Sequence, residues 1–290
     1  MTAEWPTAAE WLAGTPQGAT SAGGSTGPAK GDLLVVAGIP LREGAVTPSR
    51  YDLAPAAIRA FLERLSAYHS ERNVDLSLLR VVDLGDGLEP PALDARLTVL
   101  LGGHNGVTYE ALSRRADLAS WGLLTLDAHH DVREYAAGSP GNGSPVRALV
   151  DAGLPGTNIV QVGIAGFSNV RAHRRWCEEI GVTIRGTGSV REVTDLLDML
   201  ARRCDHVYVD LDIDVLDRAF APGAPGARPG GITPRELFEA AYEAGNHGAV
   251  RAVDIVEVDP QADVASVTVG AAAISLLNVA AGFASRDGRS

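Results

Sequence analysis

Cysteine is nearly missing from this chain. Cys177 and Cys204 are the only two in 290 residues, too few for a disulfide framework and without the paired spacing of a zinc site. Both read as buried or idle thiols, and redox chemistry is not expected. Basic residues are in deficit too, 25 against 36 acidic, for a formal charge of −11, which argues against a nucleic-acid or anionic-membrane partner. Long hydrophobic runs are also lacking. The longest, "HVYVDL" and "GAAAISLLNVAAGFA", are too short or too rich in small residues to span a bilayer, and the start "MTAEW" carries no basic segment of the kind that begins a secretory signal. The expected location is the cytoplasm. What is present is 46% hydrophobic residues, enough to bury a large α/β core.

Residues 1–31 are expected to form a mobile N-terminal arm, because "TPQGATSAGGSTGPAKG" is almost entirely Gly, Ser, Thr, Pro and Ala and cannot bury enough apolar area to offset ordering. A phosphate-cradling loop is not expected there, since no strand precedes it and no helix follows. From Asp32 to Ser290 the pattern is that of a single α/β domain. "DLLVVAGIP", "VVDLGD", "LTVLLGG", "GLLTLD", "IVQVGI", "HVYVDLDID" and "AVRAVDIVEVDP" are short continuous apolar runs, as in strands buried on both faces of a parallel sheet. Helical stretches lie between them: 55–68, 107–118, 144–152, 170–180, 189–203, 233–244 and 265–284. Such alternation predicts an α/β fold, a three-layer α/β/α sandwich around a largely parallel, doubly wound sheet of about eight strands. A closed barrel is the alternative. Ligands of open α/β sheets sit beyond the C-terminal strand ends.

Those ends are where this sequence turns polar. "LTVLLGG" is followed by His104 and Asn105; "LLTL" by Asp127, His129, His130 and Asp131; "HVYV" by Asp210, Asp212, Asp214 and Asp217; "AVDIV" by Glu257 and Asp259. A lone Asp at a strand end is more often a helix cap. Converging this many carboxylates is costly unless cations neutralise them, so the pattern points to a metal site with more than one ion. Carboxylates with an imidazole and an amide suit Mn²⁺ or Mg²⁺.

These same residues carry a family resemblance. "DAHHD" resembles the Asp-Ala-His-x-Asp element of the arginase/agmatinase (ureohydrolase) superfamily, "DIDVLDRAFAPGAPGARPGG" its second metal-binding element, and "DIVEVDP" its Glu-x-Asn/Asp-Pro element. Order and spacing match from Asp32 onward, including "APAAIRAFL". The resemblance implies an arginase-like fold and two Mn²⁺ ions held by Asp127, His129, Asp131, Asp212 and Asp214, with Asp127 and Asp212 bridging. Most relatives have Gly-Gly-Asp-His where this chain has Gly102-Gly103-His104-Asn105, which puts Asn105 at a ligand position. Most also carry a proton-shuttling His where "GSPGNGSPVRAL" has Asn142. With "DAHHDVRE" and "GIAGFSN", this looks like the bacterial formimidoylglutamases, which carry Asn at both places, although "GGHN" departs from their usual "GGDN".

The reaction so implied is metal-dependent hydrolysis of N-formimidoyl-L-glutamate to L-glutamate and formamide, in histidine degradation, by a hydroxide bridging the two ions. Asp131 would move the proton and Glu257 would bind the amidine. Arg133, Asn142 and Arg147 are candidates to bind the two substrate carboxylates. Asn105, a weaker ligand than imidazole, implies one tight and one weak Mn²⁺. His104 is a possible ligand after a register shift, His130 is expected to point away from the ions by strand alternation, and Asp210 and Asp217 read as structural. His69, His173, His206 and His247 read as surface or packing residues. The partner is a small-molecule substrate, with no nucleic acid or membrane; family habit implies a homo-oligomer, a trimer or hexamer. Two other readings remain at this point: a ureohydrolase acting on agmatine, arginine or a guanidino acid, and a metal-poor homologue without activity.

Overall fold

The computed structural model describes residues 6–14, 33–136 and 140–286. In chain order the elements are α1 (Ala8–Leu12), β1 (Leu34–Ile39), α2 (Ala54–Phe61), β2 (Tyr68–His69), β3 (Val74–Asp75), β4 (Val81–Asp86), β5 (Leu97–Gly102), α3 (Gly106–Leu112), β6 (Trp121–Leu126), α4 (Pro145–Asp151), β7 (Ile159–Ile164), α5 (Arg171–Glu179), β8 (Thr183–Gly186), α6 (Val193–Ala201), β9 (His206–Asp212), α7 (Pro234–Asn246), β10 (Val250–Val256) and α8 (Val267–Ser285). Among the described residues, eight strands form one parallel sheet in the order β4-β1-β5-β10-β9-β6-β7-β8, and β2 and β3 form a separate antiparallel pair. The sheet is open, so the barrel alternative is excluded.

Both faces of the sheet are covered, as continuous apolar strands demand. On one side Ile58 of α2, Leu196 and Leu200 of α6, Leu237 of α7 and Leu276 of α8 pack with Val36, Val99 and Val209 of the sheet. On the other, Val107 of α3, Leu149 of α4 and Cys177 of α5 pack with Leu100, Leu123 and Tyr208. Side-chain alternation along each strand supplies both cores at once.

Register decides the site. Leu101 pairs with Ile255, Ile255 with Leu211, and Leu211 with Leu126, so β5, β10, β9 and β6 end in one row. The polar segments after these four strands emerge side by side. The chain reaches this arrangement by inserting its last strand, β10, between β5 and β9.

Several elements differ from the sequence expectation. The helix expected over 55–68 ends at Phe61, tightens into a 3₁₀ turn and gives way to the β2–β3 pair. β8, an edge strand of only four residues, carries too little pattern to be seen alone. Within the expected arm, residues 6–14 are structured: Thr7 and Glu10 form a reciprocal cap, and Trp11 is 5% exposed with its indole N–H donating to the Leu79 carbonyl at 3.2 Å. The rest of that arm, 1–5 and 15–31, lies outside the described residues. Among the described residues, α8 alone is long and apolar enough to cross a membrane, and 78% of that stretch is buried inside the fold. Its small residues let it lie close to α7, where a side chain on Gly282 would strike the Tyr242 carbonyl.

Candidate metal centre and active site

The turns after β6 and β9 build the centre of the site. After Leu126, Asp127 Oδ1 accepts the His129 backbone N–H at 2.6 Å, which folds the chain back so that His129 faces the acids. After β9, Asp212 Oδ1 accepts the Asp214 N–H at 2.8 Å, and Asp214 Oδ1 accepts the Ala128 N–H at 3.2 Å, stitching the two turns together. His129 Nδ1 lies 2.9 Å from Asp214 Oδ2 and 3.5 Å from Asp127 Oδ1. Two groups of donors result. Atoms of Asp127, His129 and Asp214 lie within 4.8 Å of one another, and so do atoms of Asp127, Asp131 and Asp212. Asp127 belongs to both.

Electrostatics gives the reason to expect cations here. Burial, then the neighbouring Asp214 charge, pushes the Asp127 carboxyl up to about 7. Asp131 and Asp212 are pushed well above the carboxylate range by burial and by the Asp127 and Asp214 charges. Burial opposes ionisation of His129, but the bonds to Asp127 and Asp214 prevail and raise it to about 12. One imidazolium cannot neutralise four buried carboxylates, and cations would. The donor set of hard oxygens and one imidazole nitrogen fits ions of the Mn²⁺ or Mg²⁺ class.

Asn105 closes the second group. Its Nδ2 lies 3.0 Å from Asp131 Oδ2 and 3.5 Å from Asp127 Oδ2, and its Oδ1 lies 2.8 Å from Thr108 Oγ1. His104 is directed elsewhere. Its Nδ1 accepts the Gly106 N–H at 3.0 Å, and Nε2 donates to the Glu43 carbonyl at 2.7 Å. Both ring nitrogens are used, so the register-shift alternative that made His104 a ligand is corrected. His130 also turns away, with Nδ1 2.7 Å from Gln161 Oε1.

Glu257 stands over the centre at the end of β10. Its Oε1 accepts the Asn105 backbone N–H at 2.8 Å and the Asn142 amide at 2.9 Å. Asn142 Oδ1 accepts the Val46 N–H at 2.7 Å, which fixes the amide's orientation and ties the 44–47 loop to the site. The Asn142 amide is thus committed to Glu257 rather than free for a substrate carboxylate, a correction to the sequence expectation. Burial raises Glu257 to about 7, with the Asp214 charge adding and the two N–H donors opposing. Glu257 and Asp131 both sit at left-handed φ, +65° and +51°, a conformation costing about 1–3 kcal/mol outside glycine. The Tyr51 hydroxyl lies buried beside Glu257, and burial, then the Glu257 charge, raises its pKa.

These groups face one cavity of about 160 Å³. Its inner wall is Asp131, Asp212, Asp214, His129 and Glu257; its outer wall carries Arg133, His173 and Arg228. Arg133 lies across Gly143, where a Cβ would come 2.7 Å from Arg133 Cδ. Arg147 is not in this cavity. It stacks over Trp176 at 5.3 Å in an adjoining groove that meets the cavity at Arg133 and His173. Its expected contact with the substrate in the cavity is corrected accordingly, and His173, read from sequence as packing, is corrected to a cavity residue.

Tyr51, Ser168, Asn169 and Arg228 also line the cavity and were not singled out from sequence. Asn169 holds the metal-facing turn, accepting from the His130 N–H and donating to the Ala128 carbonyl, each at 2.9 Å. Asp259 is structural: its Oδ2 accepts the Arg50 N–H at 3.0 Å. Gly226 lies against the metal-facing side chains, and a Cβ there would strike Asp214 Oδ2 and come 3.1 Å from His129 Cε1. Gly226→Ala is therefore expected to weaken Mn²⁺ binding about 10- to 100-fold while leaving the fold's circular dichroism unchanged. Unaltered affinity in a metal titration would show that the loop yields.

The family model described as the Arginase family matches residues 33–281. A formimidoylglutamase of Halalkalibacterium halodurans is 34% identical over 268 residues, covering 83% of this chain and 84% of that protein. A formimidoylglutamase of Bacillus subtilis is 31% identical over 287 residues, 88% of each. The crystal structure of formimidoylglutamase from Bacillus subtilis superposes with a TM-score of 0.80 at 29% identity, again over 88% of each chain.

Proposed function

This chain belongs to the arginase family, and from that premise we propose that it hydrolyses N-formimidoyl-L-glutamate to L-glutamate and formamide. The observation that carries this reading is the polarity of the one cavity. Its buried acids fit an amidinium, while the exposed Arg133 and Arg228 of the same lining fit the carboxylates at the other end of the same molecule. Burial and the Arg133 and Arg147 charges lower the His173 pKa, so it offers a neutral ring there. Agmatine, whose far end is an ammonium, would meet those two guanidinium groups unfavourably.

Two Mn²⁺ ions would be held, one by Asp127, His129 and Asp214, the other by Asn105, Asp127, Asp131 and Asp212. Bound there, they would supply a nucleophile near neutral pH by acidifying water. Glu257 would pair its free Oε2 with the amidinium N–H groups and orient the formimidoyl carbon. Asp131, in the cavity lining, would take the proton released as the tetrahedral carbon forms and return it to the leaving amine nitrogen. Arg133 would bind a substrate carboxylate with its planar fork. The amide oxygen of Asn105 is a weaker donor than imidazole, so one ion is held more loosely. A cytoplasmic homo-oligomer, a trimer or hexamer, is the assembly that the family resemblance supports.

The direct test is Mn²⁺-dependent release of glutamate from N-formimidoyl-L-glutamate, with agmatine, arginine and guanidino acids assayed for urea in parallel. Turnover is expected with the formimidoyl substrate, and Arg133→Ala should raise its KM by about 10- to 100-fold, the worth of a charge-assisted bond. Urea from a guanidine at a greater kcat/KM would reject the substrate assignment while keeping the chemistry.

A further inference from the structure

Thr108 has one hydroxyl hydrogen and stands between two oxygens. Its Oγ1 lies 2.7 Å from Asp254 Oδ2 and 2.8 Å from Asn105 Oδ1, and a single hydrogen serves only one of them. Asn105, Thr108, Asp254 and Tyr208 are each at most 1% exposed, so an oxygen left facing another oxygen here is costly. Asp254 is the better acceptor. It is a carboxyl rather than an amide, and its Oδ2 also collects the Tyr208 hydroxyl at 2.8 Å, which fixes the direction from which Thr108 approaches.

With its hydrogen given to Asp254, Thr108 turns lone pairs toward Asn105. That arrangement suits the amide NH₂, not the amide oxygen. Half a turn about the terminal torsion exchanges the two with almost no change of shape. Asn105 Oδ1 then occupies the point 3.0 Å from Asp131 Oδ2 and 3.5 Å from Asp127 Oδ2, aimed with those carboxylates at a shared cation.

We propose that Thr108, anchored through Asp254 to Tyr208, is the positioning residue that presents the Asn105 carbonyl oxygen to the metal. The inference rests on the two-ion reading above and deepens it. An amide offers a cation either a ligand or a repulsive N–H, and something outside the first layer of ligands has to choose. Thr108 accepting an amide N–H also polarises the carbonyl, strengthening a weak donor.

The experiment is a Mn²⁺ titration of the metal-free full chain, reading free ion by electron paramagnetic resonance, with the thermal midpoint of each metal-free variant alongside. Wild type should show a tight and a weak class, and Asn105→Ala should lose the weak one. Thr108→Val should weaken that class about 10- to 100-fold while leaving the tight class unchanged, with the metal-free midpoint lowered by the lost donor to buried Asp254, and Thr108→Ser should restore both. Should Thr108→Val fail to fold, Thr108→Cys replaces it, with an intermediate weakening expected. A two-class wild-type isotherm that Thr108→Val, or Thr108→Cys in its place, leaves unmoved overturns the inference alone. Equal loss from both classes assigns Thr108 to general packing and overturns it too. A wild-type chain binding no Mn²⁺ would instead remove the two-ion reading on which it stands.

Discussion

Glu257→Gln is expected to lower kcat/KM for the formimidoyl substrate by about 10²- to 10³-fold, with metal content and folding intact. Two effects add. The charge that pairs with the amidinium is lost, and charge-assisted bonds are roughly twice as strong as neutral ones. The hydrogen-bond pattern also reverses. Oε1 is fixed by two donors, the Asn105 N–H and the Asn142 amide, so a glutamine keeps its oxygen there and points its NH₂ into the cavity. Donor then faces donor where the carboxylate would accept. Preorganised groups of this kind are worth about 10²–10³ in rate when removed, and the left-handed backbone at Glu257 is a strain consistent with such preorganisation. The check is steady-state kinetics beside a manganese assay and a thermal melt. Activity within tenfold of wild type in a loaded, folded variant would remove Glu257 from substrate binding.

Much of this site was legible in the sequence because apolar strands break abruptly into acids. Asp127, His129, Asp131, Asp212 and Asp214 follow two such breaks, and their cost in isolation pointed to cations before any coordinate did. Strand order was not legible. Nothing local says that β10 enters between β5 and β9, yet that insertion is what sets Glu257 above the metal-facing turns. Residues on helices and loops were the harder ones. His173, near the start of α5, could face inward or outward by pattern alone, and Arg228 lies in a Gly- and Pro-rich stretch matched to the second metal-binding element, where no apolar period says which way a side chain points. Arg147 was expected in the cavity from its nearness to Asn142, but the flat face of Trp176 offers its guanidinium a cation–π seat outside it. Asn142 shows the same limit: its chemistry was visible, and its commitment to Glu257 depended on the Val46 N–H arriving from a loop 96 residues away.

Stripped of metal, the protein should become less stable as pH rises from about 5 to 8, and Mn²⁺ should restore most at the upper end. Asp127, Asp131, Asp212 and Glu257 all have raised pKa values in the fold. At these carboxyls the folded state therefore binds more protons over this window than the unfolded chain, whose carboxylates ionise near 4, and stability falls as pH climbs; His104, His130 and His173, lowered chiefly by burial, act oppositely near and below 6.5. His129 acts in the same direction as the carboxyls, since the stabilisation it gains as an imidazolium is complete below about 6.5 and is lost as pH rises toward its folded value of about 12. Asp214 acts oppositely, because despite burial the His129 bond holds it below the usual range; its contribution disappears only in acid, outside this window. A carboxyl moved from near 4 to about 7, as at Asp127, loses on the order of 2 kcal/mol of stabilisation between about pH 5.5 and 8. At about 2–4 °C per kcal/mol for a chain of roughly this size, each such group should lower the metal-free midpoint by on the order of 5 °C. Cations displace those protons, so affinity rises with pH and binding releases protons. The measurement is differential scanning calorimetry at pH 5.5 and 8, with EDTA and with excess Mn²⁺. A metal-free midpoint that holds or rises with pH, together with an equal Mn²⁺ shift at both values, would mean that the buried acids are compensated within the chain and that the electrostatic argument for a metal centre fails.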